Sequence, residues 1–166
     1  MKTEANPVSE FPASGIYALL LFVSREVTLT VGKLGKHRFP RGYYVYTGSA
    51  LGKGAAGLKH RIARHLRKQK PRFWHIDYLL ADENVSVEAV IAAEASENME
   101  CKLNSHIKGT EGAEVPVKGF GASDCRKNCG SHLLYFSEIE NSDFLVQKLV
   151  RNLRSACGTF SVHVVY

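Results

Sequence analysis

Apolar and polar positions alternate in ways that predict most of the chain's elements. Residues 15–23 are apolar or aromatic almost throughout, the pattern of a strand. Residues 26–31 set Val27, Leu29 and Val31 against Glu26, Thr28 and Thr30, which predicts a half-buried strand with one wet face. The residues 23–26 suit a hairpin connection between these two strands. Residues 32–37 read as turn and edge. Pro40 and Gly42 then punctuate the chain before a strand at 43–46. Four glycines between 48 and 57 predict a tight turn. A helix is expected from about 55 to 70, with Leu58, Ile62 and Leu66 as its buried stripe and Pro71 as its stop. Arg61 and His65 share a face beside that stripe, while Arg64, Arg67 and Lys68 point toward solvent or a ligand.

The second half follows the same logic. Residues 73–80 are dense in aromatics and predict a short helix packed on the sheet. A strand is expected at 85–93, then a helix at 96–107 with Met99, Leu103 and Ile107 in line and Glu100 beside them. Residues 108–124 form a glycine-rich connection, long for a compact domain and so a candidate functional loop. A strand at 133–137 precedes a helix reaching about 154, capped by Asn141 or Ser142. A last strand is expected at 160–165. Residues 1–13 are polar, carry Pro7 and Pro12, and read as a flexible arm. There is no internal repeat.

Composition narrows the function classes. A chain of 166 residues fits one domain, with enough length to bury a core unaided. The longest apolar run, 18–23, is far short of the ~20 residues of a membrane span. Nothing at the start resembles a secretory leader, so a cytoplasmic protein with no membrane partner is expected. Cysteines at 101, 125, 129 and 157 are then free thiols or metal ligands rather than disulfides. The net charge of +6 is uneven. Residues 59–72 hold seven Lys or Arg, two His and no acid. Such a block is the footprint of a polyanion site or, equally, a solvated helix face.

Several residues could act together on a phosphodiester. Tyr46 ends a predicted strand just before a glycine turn, and nearby cations such as Arg61 would lower its pKa toward a usable base. Arg61 can hold a phosphate bidentately and offset its charge. His65, one turn on, can orient a phosphate or take a proton. One carboxylate would hold one hydrated Mg²⁺.

Gly15-Ile16-Tyr17, followed by Tyr46-Thr47-Gly48, then Arg61 and His65 on a helix, and Glu100 on a later helix, resembles the GIY-YIG nuclease family. Trp74-His75-Ile76-Asp77-Tyr78-Leu79, Gly119-Phe120-Gly121-Ala122-Ser123-Asp124-Cys125 and Gly130-Ser131-His132-Leu133 resemble a small prokaryotic branch of stand-alone members. The resemblance implies an α+β fold, a small central antiparallel sheet flanked by helices, with a C-terminal strand-helix-strand extension. Residues 14–137 would form the GIY-YIG-like domain, and 138–166 a helix and strand packed on it. Tyr17 and Tyr46 would face each other from adjacent strands, and either would activate water. Arg61 would bind the scissile phosphate, and Glu100 would hold one Mg²⁺ or Mn²⁺. Lys53, Lys59, Arg64, Arg67 and Lys68 would meet the nucleic acid. His75 and Asp77 read equally as a satisfied polar contact near the core or, with Ser49, as support behind the site. The partner would be DNA, with RNA as the alternative substrate.

Three features depart from that pattern or add to it. Ser49 stands where many members carry a lysine, which leaves a non-catalytic nucleic-acid-binding module as the alternative function. Gly48 to Lys53 resembles a phosphate-binding loop, but its spacing is one residue short and no Ser or Thr follows the lysine. Cys125, Cys129 and His132 have zinc-ligand chemistry at short spacing, with Cys101 or His106 as a fourth ligand, although usual finger spacings are not met. A structural Zn²⁺ there competes with simple loop packing. Oligomeric state is not encoded in any feature of the sequence.

Overall fold

The computed structural model describes residues 7–158 and 162–166. Its centre is a six-stranded antiparallel sheet, with four helices around it. The strands are β1 (Gly15–Val23), β2 (Val27–Thr30), β3 (Lys36–Phe39), β4 (Gly42–Ala50), β5 (Val85–Glu94), β6 (Ala113–Glu114), β7 (Leu133–Phe136) and β8 (Val162–Val165). The helices are α1 (Leu58–Leu66), α2 (His75–Leu80), α3 (Glu100–Lys108) and α4 (Ser142–Cys157). The large sheet runs β6-β7-β4-β1-β5-β8, and β2 and β3 form a separate ribbon. The α+β class expected from the sequence is therefore the observed one.

β1 lies inside the sheet and is covered on both faces, which explains its continuous apolar run. Tyr17, Leu19 and Leu21 pack with Leu58 and Ile62 of α1 and with Ile76 and Leu79 of α2. Ile16, Ala18 and Leu20 pack with Leu103 and Ile107 of α3 and with Leu145, Leu149 and Leu153 of α4. The C-terminal helix and β8 thus complete one face and one edge of the same sheet. Asn141 caps α4 by accepting the Asp143 amide at 2.8 Å.

Several local expectations need correction. The segment 23–26 is no hairpin joining β1 to β2. Both edges of β1 are taken by β4 and β5, so β2 pairs with β3 instead. Residues 7–13 are no loose arm: Val8 and Phe11 are buried in the core, and the Leu58 amide donates to the Ala13 carbonyl. Residues 1–6 lie outside the described residues, as do Phe160 and Ser161 of the expected last strand. The helix expected over 55–70 is α1, nine residues long. Its end is set before Pro71 by Lys70, whose ammonium donates to the His65 and Arg67 carbonyls at 2.8 and 2.7 Å. Leu66 is consequently exposed, and His65 occupies the buried position beside Ile62.

Gly48 is not in a turn. β4 continues through it, and the turn begins at Leu51. Gly48 stands directly opposite Tyr17, and a Cβ there would overlap the tyrosine hydroxyl and ring. The absent side chain is what lets the Tyr17 ring lie across β4. Gly48→Ala should therefore cost about 1–3 kcal/mol in urea unfolding, the usual range for overpacking. Gly109→Ala, at a helix end where a Cβ meets nothing closer than 3.5 Å, should change stability by less than about 0.5 kcal/mol.

Candidate functional site

A cavity of about 240 Å³ opens at one end of the sheet, and β1, β4, α1 and α3 each send a side chain to it. Tyr17 comes from β1, Tyr46 and Ser49 from β4, Arg61 from α1 and Glu100 from α3. The register explains the tyrosine pair. Tyr17 is opposite Gly48 and Tyr46 opposite Leu19, so the two rings are diagonal neighbours on one face rather than directly opposed. Arg61 is held at one terminal nitrogen and on one face of its guanidinium. It donates to the Ser49 carbonyl at 3.1 Å and stacks on Trp74 at 4.5 Å from the ring centre. The Ser49 hydroxyl donates to Glu100 at 3.2 Å, linking the carboxylate to the same strand.

His65 sits behind this wall. It is 2% exposed and does not line the cavity, so it cannot touch a phosphate there as expected. Its Nε2 lies 2.7 Å from the Tyr17 hydroxyl, while its Nδ1 has no partner among the described residues. Burial, reinforced by Lys70 and by Arg61 and Arg64 and opposed by Asp77, lowers the His65 pKa to about 3. His65 is neutral at physiological pH.

The tyrosines also differ from expectation. Burial dominates at both, and Arg61 only partly opposes it. The Tyr17 and Tyr46 phenols are held well above the ordinary phenol range rather than lowered by the arginine. Removing a phenolate from water costs more than one neighbouring guanidinium returns.

The basic block is only partly available to a ligand. Arg64 is bidentate to Asp77, with both contacts at 2.8 Å, and Asp77 is completely buried. Burial pushes the Asp77 carboxyl up, but hydrogen bonds from Arg64 and from the Trp74 and Phe73 amides outweigh it and hold the group below its usual range. Lys68 donates to the Leu80, Asp82 and Val85 carbonyls. Arg64 and Lys68 thus tie α1 to α2 and β5 and are not free for nucleic acid. Lys53, Lys59 and Arg67 remain exposed. Asp77 organises the start of α2, and His75 Nδ1 accepts the Gly121 amide at 2.9 Å. Both brace the fold, and neither is among the residues that line this cavity.

The cysteine expectation is sharpened. Cys101, Cys125, Cys129 and His132 bring one ligand atom each within 4.8 Å of one another, a group that could hold a metal ion. The Cys101 sulfur lies 3.4 Å from that of Cys125 and 3.8 Å from His132 Nε2. His106 is exposed and outside the group, and Cys157 is a half-buried thiol packed against the α3–α4 core. Asp124 and Trp74 also line the cavity, although the sequence marked neither as a site residue. The available signal was adjacency: Asp124 precedes Cys125 as Glu100 precedes Cys101.

His65 gives the stability a distinct pH dependence. Its folded pKa lies below its unfolded value, so its contribution is complete above about pH 6.5 and is lost as pH falls toward about 3. Thermal melts should show Tm falling across that window, by a few kcal/mol of stability in all. His65→Gln should remove that part of the slope and leave the acid loss from the Asp77 pair, whose folded carboxyl titrates below its usual range.

Among the described residues no helix is long and apolar enough to cross a membrane. No curated protein and no solved structure matches the chain. A family model described as a domain of unknown function, DUF123, matches residues 16–155, which takes in both tyrosine strands, the basic helix, Glu100 and the cysteine–histidine group. That span covers most of the chain, and the protein belongs to the DUF123 family.

Proposed function

We propose that the protein is a metal-dependent endonuclease of GIY-YIG type that hydrolyses phosphodiester bonds in DNA. The observation that carries this reading is the convergence of Tyr17, Tyr46, Arg61 and Glu100, from four separate elements, on one cavity. Arg61, stacked and hydrogen bonded, presents a fixed guanidinium to the scissile phosphate. Tyr46, whose hydroxyl has no hydrogen-bond partner among the described residues, donates it to a non-bridging phosphate oxygen. Tyr17 handles the proton because His65 Nε2 lies at hydrogen-bond distance behind it.

With its own proton on Nδ1, His65 accepts the Tyr17 proton as Tyr17 takes one from the attacking water. The water oxygen bonds to phosphorus, and the bond to the leaving sugar oxygen breaks, with solvent supplying that oxygen's proton. A phosphate on Arg61 offsets one of the charges that keep His65 neutral, which favours the transfer. Glu100, Asp124 and the Ser49 hydroxyl offer oxygen donors only, a set that suits one hydrated Mg²⁺ or Mn²⁺. Such an ion would add positive charge beside the reacting phosphate.

The cysteine–histidine group takes a different ion. Three thiols and an imidazole gathered within 4.8 Å of one another supply the donor set and softness that suit structural Zn²⁺. It would clasp α3 to the irregular segment 115–132.

Cleavage of linear, nicked and branched DNA with Mg²⁺ or Mn²⁺ tests the main reading. Arg61→Ala and Glu100→Gln should each lower kcat about 10²–10³-fold, and His65→Gln should lower it while sparing DNA binding. No cleavage by the wild type, or equal cleavage by these variants, would sink the proposal. The neutral tyrosines favour one second reading, a binding module without catalysis. That reading predicts metal-independent binding without turnover, with log affinity falling about 0.9 per phosphate contact for each log unit of salt.

Zinc is read separately. The purified protein should carry about one equivalent by metal analysis, and Co²⁺ should bind in its place with a thiolate charge-transfer band. Cys129→Ser should weaken that band and the metal content. A wild-type protein that takes up neither ion would overturn this assignment.

A further inference from the structure

Phe73 is anomalous for a soluble protein. It is 79% exposed, far more than any large apolar side chain near it. It is also held on a rigid backbone. Its amide donates to Asp77 at 2.8 Å, and the same carboxylate holds the Trp74 amide and Arg64. The ring stands edge-on to Trp74, at 5.7 Å between centres and 80° between planes. Trp74 is pinned in turn by the guanidiniums of Arg61 and Arg64. The backbone that carries the exposed ring is therefore held in place, with the ring edge-on to Trp74.

Beside Phe73 lies a second open cavity of about 250 Å³. Phe73, Trp74 and His75 form one wall, and Gly121, Ser123 and Asp124 form another. Tyr46, Trp74, Gly121 and Asp124 also belong to the lining of the first cavity, so the two spaces are neighbours. Gly121 keeps the opening clear. Its φ is +67°, and a Cβ there would press on the Tyr46 ring at 2.9 Å. The space is smaller than the ~300 Å³ at which drug-sized pockets begin, and it suits one flat ring rather than a paired step of duplex.

We infer that this second cavity binds a single unpaired nucleobase, stacked on Phe73, next to the phosphate held by Arg61. The inference rests on the nuclease reading and deepens it. A base on Phe73 is joined through its sugar to a phosphate at the Tyr46–Arg61 wall, so one flipped or single-stranded nucleotide would span both spaces. Stacking needs only a π face, which fits a small protein with little surface for reading a long sequence. The substrate class is then DNA with an unpaired nucleotide at the cut, such as a single strand, flap or branch, and uninterrupted duplex is disfavoured.

The protein carries its own reporter. Trp74 is its only tryptophan and forms part of the proposed pocket. A twelve-nucleotide single-stranded oligodeoxyadenylate should quench Trp74 fluorescence, and the matching blunt duplex should quench it weakly. Phe73→Leu should weaken single-strand binding by roughly 5- to 150-fold, the loss expected for one base–aromatic stack, and Phe73→Tyr should restore it. Duplex binding, read by anisotropy, should change little in either variant. Phe73 is exposed, so the variants should keep the wild-type melting temperature. Equal single-strand binding by wild type and Phe73→Leu would overturn the inference, as would equal quenching by single strand and duplex. Cleavage that persists without strand preference would overturn the stacking pocket and leave the nuclease reading standing. No binding to either DNA would bring down both.

Discussion

The close approach of Tyr17 to β4 is the contact on which the site depends. Gly48 has no side chain, so the Tyr17 ring lies flat across the neighbouring strand and its hydroxyl reaches His65. That single geometry sets three things. It keeps β1 and β4 in register along nine residue pairs, from Gly15–Ala50 to Val23–Gly42. It buries a phenol against a neutral imidazole. It also leaves Tyr46, two positions away on the same face, to look into the cavity. A bulkier residue at 48 would have to move the ring or part the strands, and either shift would disperse the cavity wall.

Burial decides the electrostatics around that contact. An arginine beside two phenols argues for depressed pKa values, yet both phenols rise, because desolvation outweighs one partly solvated guanidinium. The same balance is struck differently at Asp77. Its carboxylate is fully enclosed but receives two arginine and two amide hydrogen bonds, so its charged form is retained. Breaking such a pair from one side would leave a buried charge uncompensated. Of the seven Lys and Arg in residues 59–72, Arg64, Lys68 and Lys70 are therefore structural, and the charge that faces solvent is smaller than the sequence advertises.

The segment between β6 and β7 has almost no regular structure, yet it supplies Gly121 and Asp124 to the cavity. It is held by buried Val117 and Phe120, by the His75–Gly121 and Asn104–Ser131 hydrogen bonds, and by the cysteine–histidine group. Each cavity carboxylate has a thiol of that group as its neighbour in sequence, Glu100 with Cys101 and Asp124 with Cys125. A metal on that group would add a further tie between this loop and α3, one residue from each carboxylate.

The sequence by itself determined most of the strands and helices and the chemistry on offer, but not β3 or β6. Local periodicity is a local property, so β1, β5, α3 and α4 were legible from apolar spacing alone, and the cap of α4 was narrowed to Asn141 or Ser142, of which the structure uses Asn141. Tyr17, Tyr46, Arg61 and Glu100 were legible as candidates because their types and order are written in the chain. Partnership is not local, and only the tertiary structure decided it. Nothing near Arg64 or Lys68 reveals that Asp77 and three carbonyls of later residues will consume their charge. Nothing near Gly48 says that the strand runs on through it, since the reason is a ring 31 positions earlier. Cys101 and His132 are 31 residues apart and become neighbours only when α3 and the loop fold onto each other. Spacing along the chain carries the identity of each side chain, whereas burial, pKa and the meeting of distant side chains follow from which surfaces the folded sheet excludes from water.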